Sequence, residues 1–141
     1  MRISPTLIAA LLLAGCAPRA PDIAVTDAWA RATAPGQASA AIYAVISNRG
    51  GADRLIGVSS AAGMAMLHGN EASGGVARMR MMAELAIPAA TGATLAPGGA
   101  HVMLSGLKAP LQPGDRLQVT FRFAAAGNRT VDVAIVPAGA R

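Results

Sequence analysis

The sequence predicts an all-β protein, and three features of the chain support that fold class. Clusters of Gly, Pro, Asn and Asp recur at the short spacing that is typical of the turns in a sandwich or barrel. Between these clusters, apolar and polar residues alternate with the period of a half-buried strand. No segment keeps the apolar spacing of an amphipathic helix, although alanine is abundant. Together these features favour a β-sandwich or barrel with Greek-key connections.

Five strands can be placed from the alternation. The clearest covers residues 117–123, where Leu, Val and Phe occupy every second position and polar residues lie between them. After a turn at 124–128, the same alternation returns at 131–135, so these two strands predict a hairpin. Three further strands are predicted at residues 23–31, 40–48 and 54–59.

Residues 1–15 have the features of a secretory signal. Arg2 supplies a positive charge, residues 7–13 form an apolar segment, and two small residues precede Cys16. The apolar segment is too short to remain as a membrane-spanning helix. We therefore expect residues 1–15 to be a signal peptide of the lipoprotein type.

Cys16 is the single cysteine of the chain, which excludes an intramolecular disulfide. The segment Leu-Ala-Gly-Cys that ends at this residue resembles a bacterial lipobox, in which cleavage leaves the cysteine as the lipidated first residue. A free or buried thiol is the alternative. We expect residues 16–22 to form a lipid-anchored tether and residues 23–137 to form one domain. The location would be periplasmic at a bacterial membrane, and the lack of an acidic residue after Cys16 favours the outer one.

The charge distribution argues against a nucleic-acid partner. The net charge is +5, and loss of the signal with Arg2 leaves eleven basic residues against seven acidic ones. The arginines are scattered, and one Trp, one Tyr and two Phe are the aromatic residues. A nucleic-acid site needs clustered positive charge and stacking aromatics. We expect a monomer that does not bind nucleic acid, with weak attraction to anionic lipids left open.

Both histidines and six of the seven methionines lie between Met64 and Met103. Imidazole nitrogen and thioether sulfur form a soft, neutral donor set, which favours copper(I), whereas zinc, calcium and magnesium prefer other donors. On a strand, His101 and Met103 would point to the same side. Met64, Met66 and His68 would likewise share one side of another strand. The pattern therefore favours a copper(I) site.

Each of these residues also has a structural alternative. A histidine in an exported protein is more often structural or on the surface, and methionines commonly fill cores, as could hold for Met66 and Met82. Once Cys16 is acylated, the mature chain offers no cysteine thiolate for a blue-copper site. It also has no identifiable pair of nucleophile and base, so we do not expect an enzyme. The candidate ligands are His68, Met79, His101 and Met103, with Met79 expected to meet His68 across a hairpin.

The spacing His68-x10-Met79-x21-His101-x-Met103 resembles the copper-binding signature of the periplasmic copper chaperone family called PCuAC. The resemblance extends to the segments at 27–33 (Asp-Ala-Trp-Ala-Arg-Ala-Thr), 48–55 (Asn-Arg-Gly-Gly-Ala-Asp-Arg-Leu) and 97–104 (Pro-Gly-Gly-Ala-His-Val-Met-Leu), and it covers residues 25–137.

This resemblance implies a cupredoxin-like β-sandwich that binds one copper(I) through His68, Met79, His101 and Met103. It also implies delivery of copper to the CuA centre of cytochrome c oxidase. The partner would be the copper-bearing oxidase subunit or a thiol-bearing assembly factor. The chain lacks the His/Met-rich C-terminal tail of some family members, so one site is expected. Two other functions stay open: a copper-storing lipoprotein and a metal-free interaction module.

Overall fold

The structure, a computed structural model, describes residues 17–141, and its regular secondary structure is entirely β. The expected all-β class is confirmed. The signal peptide predicted at residues 1–15 and the lipid acceptor Cys16 lie outside the described residues. Within residues 17–141, no helix is present that could cross a membrane. The strands are β1 (Ile23–Arg31), β2 (Ser39–Asn48), β3 (Asp53–Ser59), β4 (Met64–Ser73), β5 (Val76–Met81), β6 (Leu85–Ile87), β7 (Gly92–Leu95), β8 (His101–Ser105), β9 (Arg116–Phe123) and β10 (Gly127–Val136).

The ten strands form one mixed sheet, in which nine follow the order β5-β4-β8-β2-β1-β10-β9-β3-β6 and β7 pairs with β2 outside this order. The pairing of β1 with β10 is parallel, and the other pairings are antiparallel. β8 pairs with the first half of β2, and β7 pairs with the second half. β3 and β4 lie far apart in the sheet order but contact each other, and a bridge between Ser60 and Gly63 joins them. The sheet therefore curls around its own core.

The hairpin predicted near the C-terminus is confirmed. β9 and β10 pair in antiparallel register from Phe123 opposite Gly127 to Arg116 opposite Ala134. The apolar positions of β9 point inward, so Phe121 is fully buried in the core. The three strands predicted upstream also agree with β1, β2 and β3 to within one residue at each end. The alternation of apolar and polar residues was sufficient to locate these strands because one face of each strand is buried.

Part of the predicted tether lies against the domain. The N–H of Gly51 donates to the carbonyl of Ala20 at 3.1 Å. A Cβ added to Gly50 would lie 2.0 Å from the same carbonyl oxygen, and one added to Gly51 would lie 1.9 Å from the carbonyl oxygen of Arg19. The turn before β3 thus needs glycines because this backbone approaches so closely. The limits 16–22 and 23–137 for tether and domain stay predictions.

Asp53 at the start of β3 ties this strand to the β9–β10 turn. Its carboxylate accepts hydrogen bonds from the backbone N–H groups of Arg54, Ala125 and Ala126 at 2.8, 2.9 and 2.8 Å. Burial acts to raise the pKa of this carboxyl, but the three N–H donors and the Arg54 charge outweigh burial, so the pKa lies below its usual value. The ionised form of Asp53 therefore stabilises the fold.

We expect Asp53→Asn to lower the free energy of unfolding by about 1–3 kcal/mol at pH 7, since hydrogen bonds to a charged acceptor are lost. The pKa of Asp53 is lower in the folded than in the unfolded chain. Its contribution is therefore fully present above the unfolded value of about 4 and is lost as pH falls through the folded value. Urea denaturation at pH 7 and at low pH measures this difference.

The matched control is Asp132→Asn, because Asp132 is exposed on β10. Equal destabilisation by the two substitutions, or an Asp53→Asn effect that does not shrink at low pH, would contradict the assignment.

Candidate metal site

All four predicted ligands lie on one outer face of three neighbouring strands, β5, β4 and β8. The register places His68 directly opposite His101, and Met66 directly opposite Met103. The alternate residues Leu67 and Val102 point the other way and belong to the core. We call this outer surface the donor face; it consists of Met64, Met66, His68, Asn70, Met79, Met81, His101 and Met103.

The two histidines form an edge-to-face pair with ring centroids 5.9 Å apart and planes at 72°. His101 is only 5 % exposed, and His68 is half-buried. Nδ1 of His101 lies 3.0 Å from the carbonyl oxygen of Gly99. A carbonyl oxygen can only accept, so Nδ1 carries the proton and the lone pair of His101 is on Nε2.

Two imidazole nitrogens in this pair are buried without a hydrogen-bond partner among the described residues. They are Nδ1 of His68 and Nε2 of His101. A buried polar atom without a partner costs roughly 1–3 kcal/mol, and native structures contain few of them. A soft cation that accepts both lone pairs would remove this cost. The pairing of Nδ1 of His101 with a carbonyl is also the arrangement by which proteins orient a metal-ligating imidazole.

The methionines are arranged differently from the expectation. Met103 is half-buried and lies diagonally next to His68, as a ligand would. Met79 is 56 % exposed and pairs with Asn70, so it is diagonal to His68 and not opposite it. The residue directly opposite His68 on β5 is Met81. Sequence reasoning placed Met81 beside Met79 on one side of a strand but did not select it as a ligand.

A core role was an open alternative for Met82 and Met66, and the structure places these two residues differently. Met82 packs against the core, with its sulfur 2.5 Å from the position that a Cβ on Gly69 would take. Met66 lies on the donor face next to Met103. The core expectation therefore holds for Met82, whereas Met66 adds a thioether to the donor face.

An aromatic row covers one side of the histidine pair. The ring centroid of Tyr43 is 6.3 Å from that of His101, and Trp29 is 4.6 Å from Tyr43. The guanidinium of Arg31 lies 5.4 Å and 5.9 Å from the two aromatic centroids, within the range of cation–π attraction. This row shields His101 on the β2 side and leaves the β5 side open to solvent. The sequence signal for it was the alternation of Trp29 and Tyr43 with core positions on β1 and β2.

The surroundings supply few hard ligands. Among residues 17–141, no three His, Cys, Asp or Glu side chains come together as a metal-binding group. The carboxylate of Glu71 on the neighbouring hairpin is paired with Arg80 at 2.7 Å. The donors gathered on this face are thus two imidazoles and several thioethers, a set that suits a soft monovalent ion.

The chain matches a known protein family over most of its length. The family model described as "Putative lipoprotein LpqE-like" matches residues 23–135. The chain belongs to this family. A relative from Leifsonia xyli subsp. xyli, "Putative lipoprotein Lxx21020", is 34% identical over 146 residues, which cover 92% of this chain and 87% of the relative.

Solved structures with a similar fold include PCuAC domains. The copper-bound PCuAC domain from PmoF2 is 28% identical with a TM-score of 0.70, covering 84% of this chain and 95% of the domain. The apo PCuAC domain from PmoF1 is 33% identical with a TM-score of 0.70, and the match covers 84% of this chain and 96% of that domain. The CuI form of DR1885 from Deinococcus radiodurans is 31% identical with a TM-score of 0.62, covering 79% and 78%. The predicted resemblance to the PCuAC family and the cupredoxin-like fold are confirmed.

Proposed function

We propose that this protein is an extracytoplasmic copper(I)-binding metallochaperone with one copper site on the donor face. The ligands of the proposed site are His68, Met79, His101 and Met103. The observation that carries the proposal is the pair of buried imidazole nitrogens without partners, side by side on a face rich in thioethers. The copper-bound and CuI-bound PCuAC domains of similar fold support it.

The donor chemistry favours the monovalent ion. Two imidazoles and two thioethers are neutral, so the complex with copper(I) keeps a single positive charge, and the soft sulfur donors prefer copper(I). Thioethers neither form disulfides nor titrate. Their sulfur atoms therefore stay available as metal ligands in a compartment where exported thiols form disulfides. Only the two imidazoles must be unprotonated for binding.

Release of copper can proceed by associative exchange on the open side. His101 is buried beside Tyr43, whereas Met79 is more than half exposed on the edge strand β5. An incoming thiolate or imidazole can reach the ion from that side and displace the exposed thioether first. The ion keeps its oxidation state, so the protein acts as a carrier without catalytic turnover.

The proposed acceptor is the CuA-bearing subunit of cytochrome c oxidase, directly or through a thiol-bearing assembly factor. A carrier for an exported copper centre must work outside the cytoplasm, and membership of a lipoprotein family supports that location. Lipid anchoring would confine the carrier to a membrane surface.

Replacing His101 or Met103 with Ala should weaken copper(I) binding at least about tenfold, because each removes one donor from a four-donor set. Met82→Leu should leave binding nearly unchanged, since Met82 packs on the core and leucine keeps its volume. Competition with a chromophoric copper(I) chelator measures the copper(I) affinity of all three variants. Equal losses in the three variants would refute the ligand assignment.

Storage of copper is the competing function, because it would use the same site. We expect the copper(I)-loaded protein to transfer one equivalent to an isolated CuA domain, since a carrier must release its ion to a thiolate acceptor. The copper content of both proteins after separation measures this transfer. Retention of the copper by the donor under those conditions would favour storage.

A lipid anchor at Cys16 is proposed for the same protein. We expect Cys16→Ser to move the protein from the membrane fraction to the soluble fraction, because stable membrane anchoring depends on the acyl chains. Fractionation of cells that express each form tests this. A wild-type protein found in the soluble fraction would rule the anchor out.

A further inference from the structure

We propose that Met81 is an additional copper(I) ligand, which takes the place of Met79 in the coordination sphere while the ion is loaded or transferred. The inference rests on the proposed copper function and refines it by naming a donor that the spacing signature leaves out.

The strand register brings Met81 close to the histidine pair. His68 on β4 lies directly opposite His101 on one side and directly opposite Met81 on the other. The three side chains thus form one row across three strands. Directly opposite residues have Cβ atoms about 4.5–5.5 Å apart, whereas diagonal neighbours lie about 7–8 Å apart. Met79 is a diagonal neighbour of His68, so Met81 is the nearer thioether on β5.

The position of Met103 strengthens the argument. Met103 lies in the row of Met66, on one side of the histidine row, whereas Met79 lies in the row of Asn70, on the other side. In a regular ladder, Met79 and Met103 are separated by about 14 Å along the strands and about 10 Å across them. Met81 and Met103 are separated by only about 7 Å along the strands.

Met81 therefore joins His68, His101 and Met103 in the register that the structure shows. For Met79 to coordinate the same ion, the β4–β5 hairpin must bend toward β8. The site thus has two states. Met79 coordinates the ion when the β4–β5 hairpin is bent, and Met81 coordinates it when the hairpin keeps the register that the structure shows.

Among residues 17–141, nothing on the outer side of β5 holds Met81 in place. Met81 is 70 % exposed, and every residue of β5 is exposed. Within the described part of the chain, β5 is an edge strand whose single partner is β4. Methionine has an unbranched side chain with three rotatable bonds and adapts readily to a new contact. One copper–sulfur bond forms to Met81 as the bond to Met79 breaks, and no proton or electron is exchanged.

The test is a double-substitution cycle on the full chain with Met79→Leu, Met81→Leu and the double variant. Copper(I) affinity is measured by competition with bicinchoninate. Because each thioether can replace the other, each single variant should lose less than about tenfold in affinity, and the double variant should lose more than about a hundredfold. Met82→Leu is the matched control, since it removes the thioether next to Met81 in the chain, and that side chain packs against the core and lies outside the donor face. It should bind as the wild type does.

A Met79→Leu variant that binds as weakly as the double variant would overturn the role of Met81. A second readout is direct: the methionine methyl carbon signals are followed by NMR while silver(I), a soft monovalent probe, is added to one equivalent. A shift of the Met81 methyl supports the proposal, and an unchanged Met81 methyl overturns it.

The failure of this inference is distinguishable from the failure of the proposed function. If His101→Ala keeps wild-type copper(I) affinity, the donor face is not the copper site and both proposals fail. If His101→Ala loses copper(I) affinity, but the Met81 methyl signal does not shift and Met79→Leu binds as weakly as the double variant, only the role of Met81 is overturned.

Discussion

The antiparallel register of β5, β4 and β8 is the constraint on which the candidate site depends. It sets His68 opposite His101 and sends both imidazoles to the face that does not form the core. A shift of one residue in this register would turn each donor of the shifted strand toward the interior. Leu67 and Val102 alternate with the donor residues on β4 and β8 and are buried. A shift in register would expose them, so their burial disfavours it. The core therefore determines where the donors lie.

The two sides of the site differ in burial. On the β2 side, His101 is buried next to Tyr43 and is oriented by the carbonyl of Gly99. On the β5 side, Met79 and Met81 stand exposed on an edge strand. At the proposed site, the buried imidazole of His101 would stay on the ion while the exposed thioethers leave and return. This asymmetry is what a carrier requires, because binding and release must both proceed without unfolding.

The aromatic row connects the site to the rest of the sheet. Trp29 and Tyr43 extend the histidine row across β2 and β1, with Arg31 above them. Their large rings cover one side of His101. Exchange of ligands at the proposed copper site would therefore take place on the open side. The chemistry of the face thus follows from the order of strands in the sheet as much as from the ligand residues.

The sequence by itself determined the fold class, most of the strands and the chemical character of the site. Alternation with one buried face located the β9–β10 hairpin, and the confinement of both histidines to a methionine-rich segment indicated soft donors. Only the tertiary structure decided which donors are neighbours, since pairing between strands depends on long-range packing and hairpin register. Spacing along the chain suggested Met79 opposite His68, but the ladder places Met81 there. Alternation along β1 and β2 could place Trp29 and Tyr43 on one face of their strands, but only the tertiary structure shows that they line up with His101, because these strands meet only when the sheet assembles.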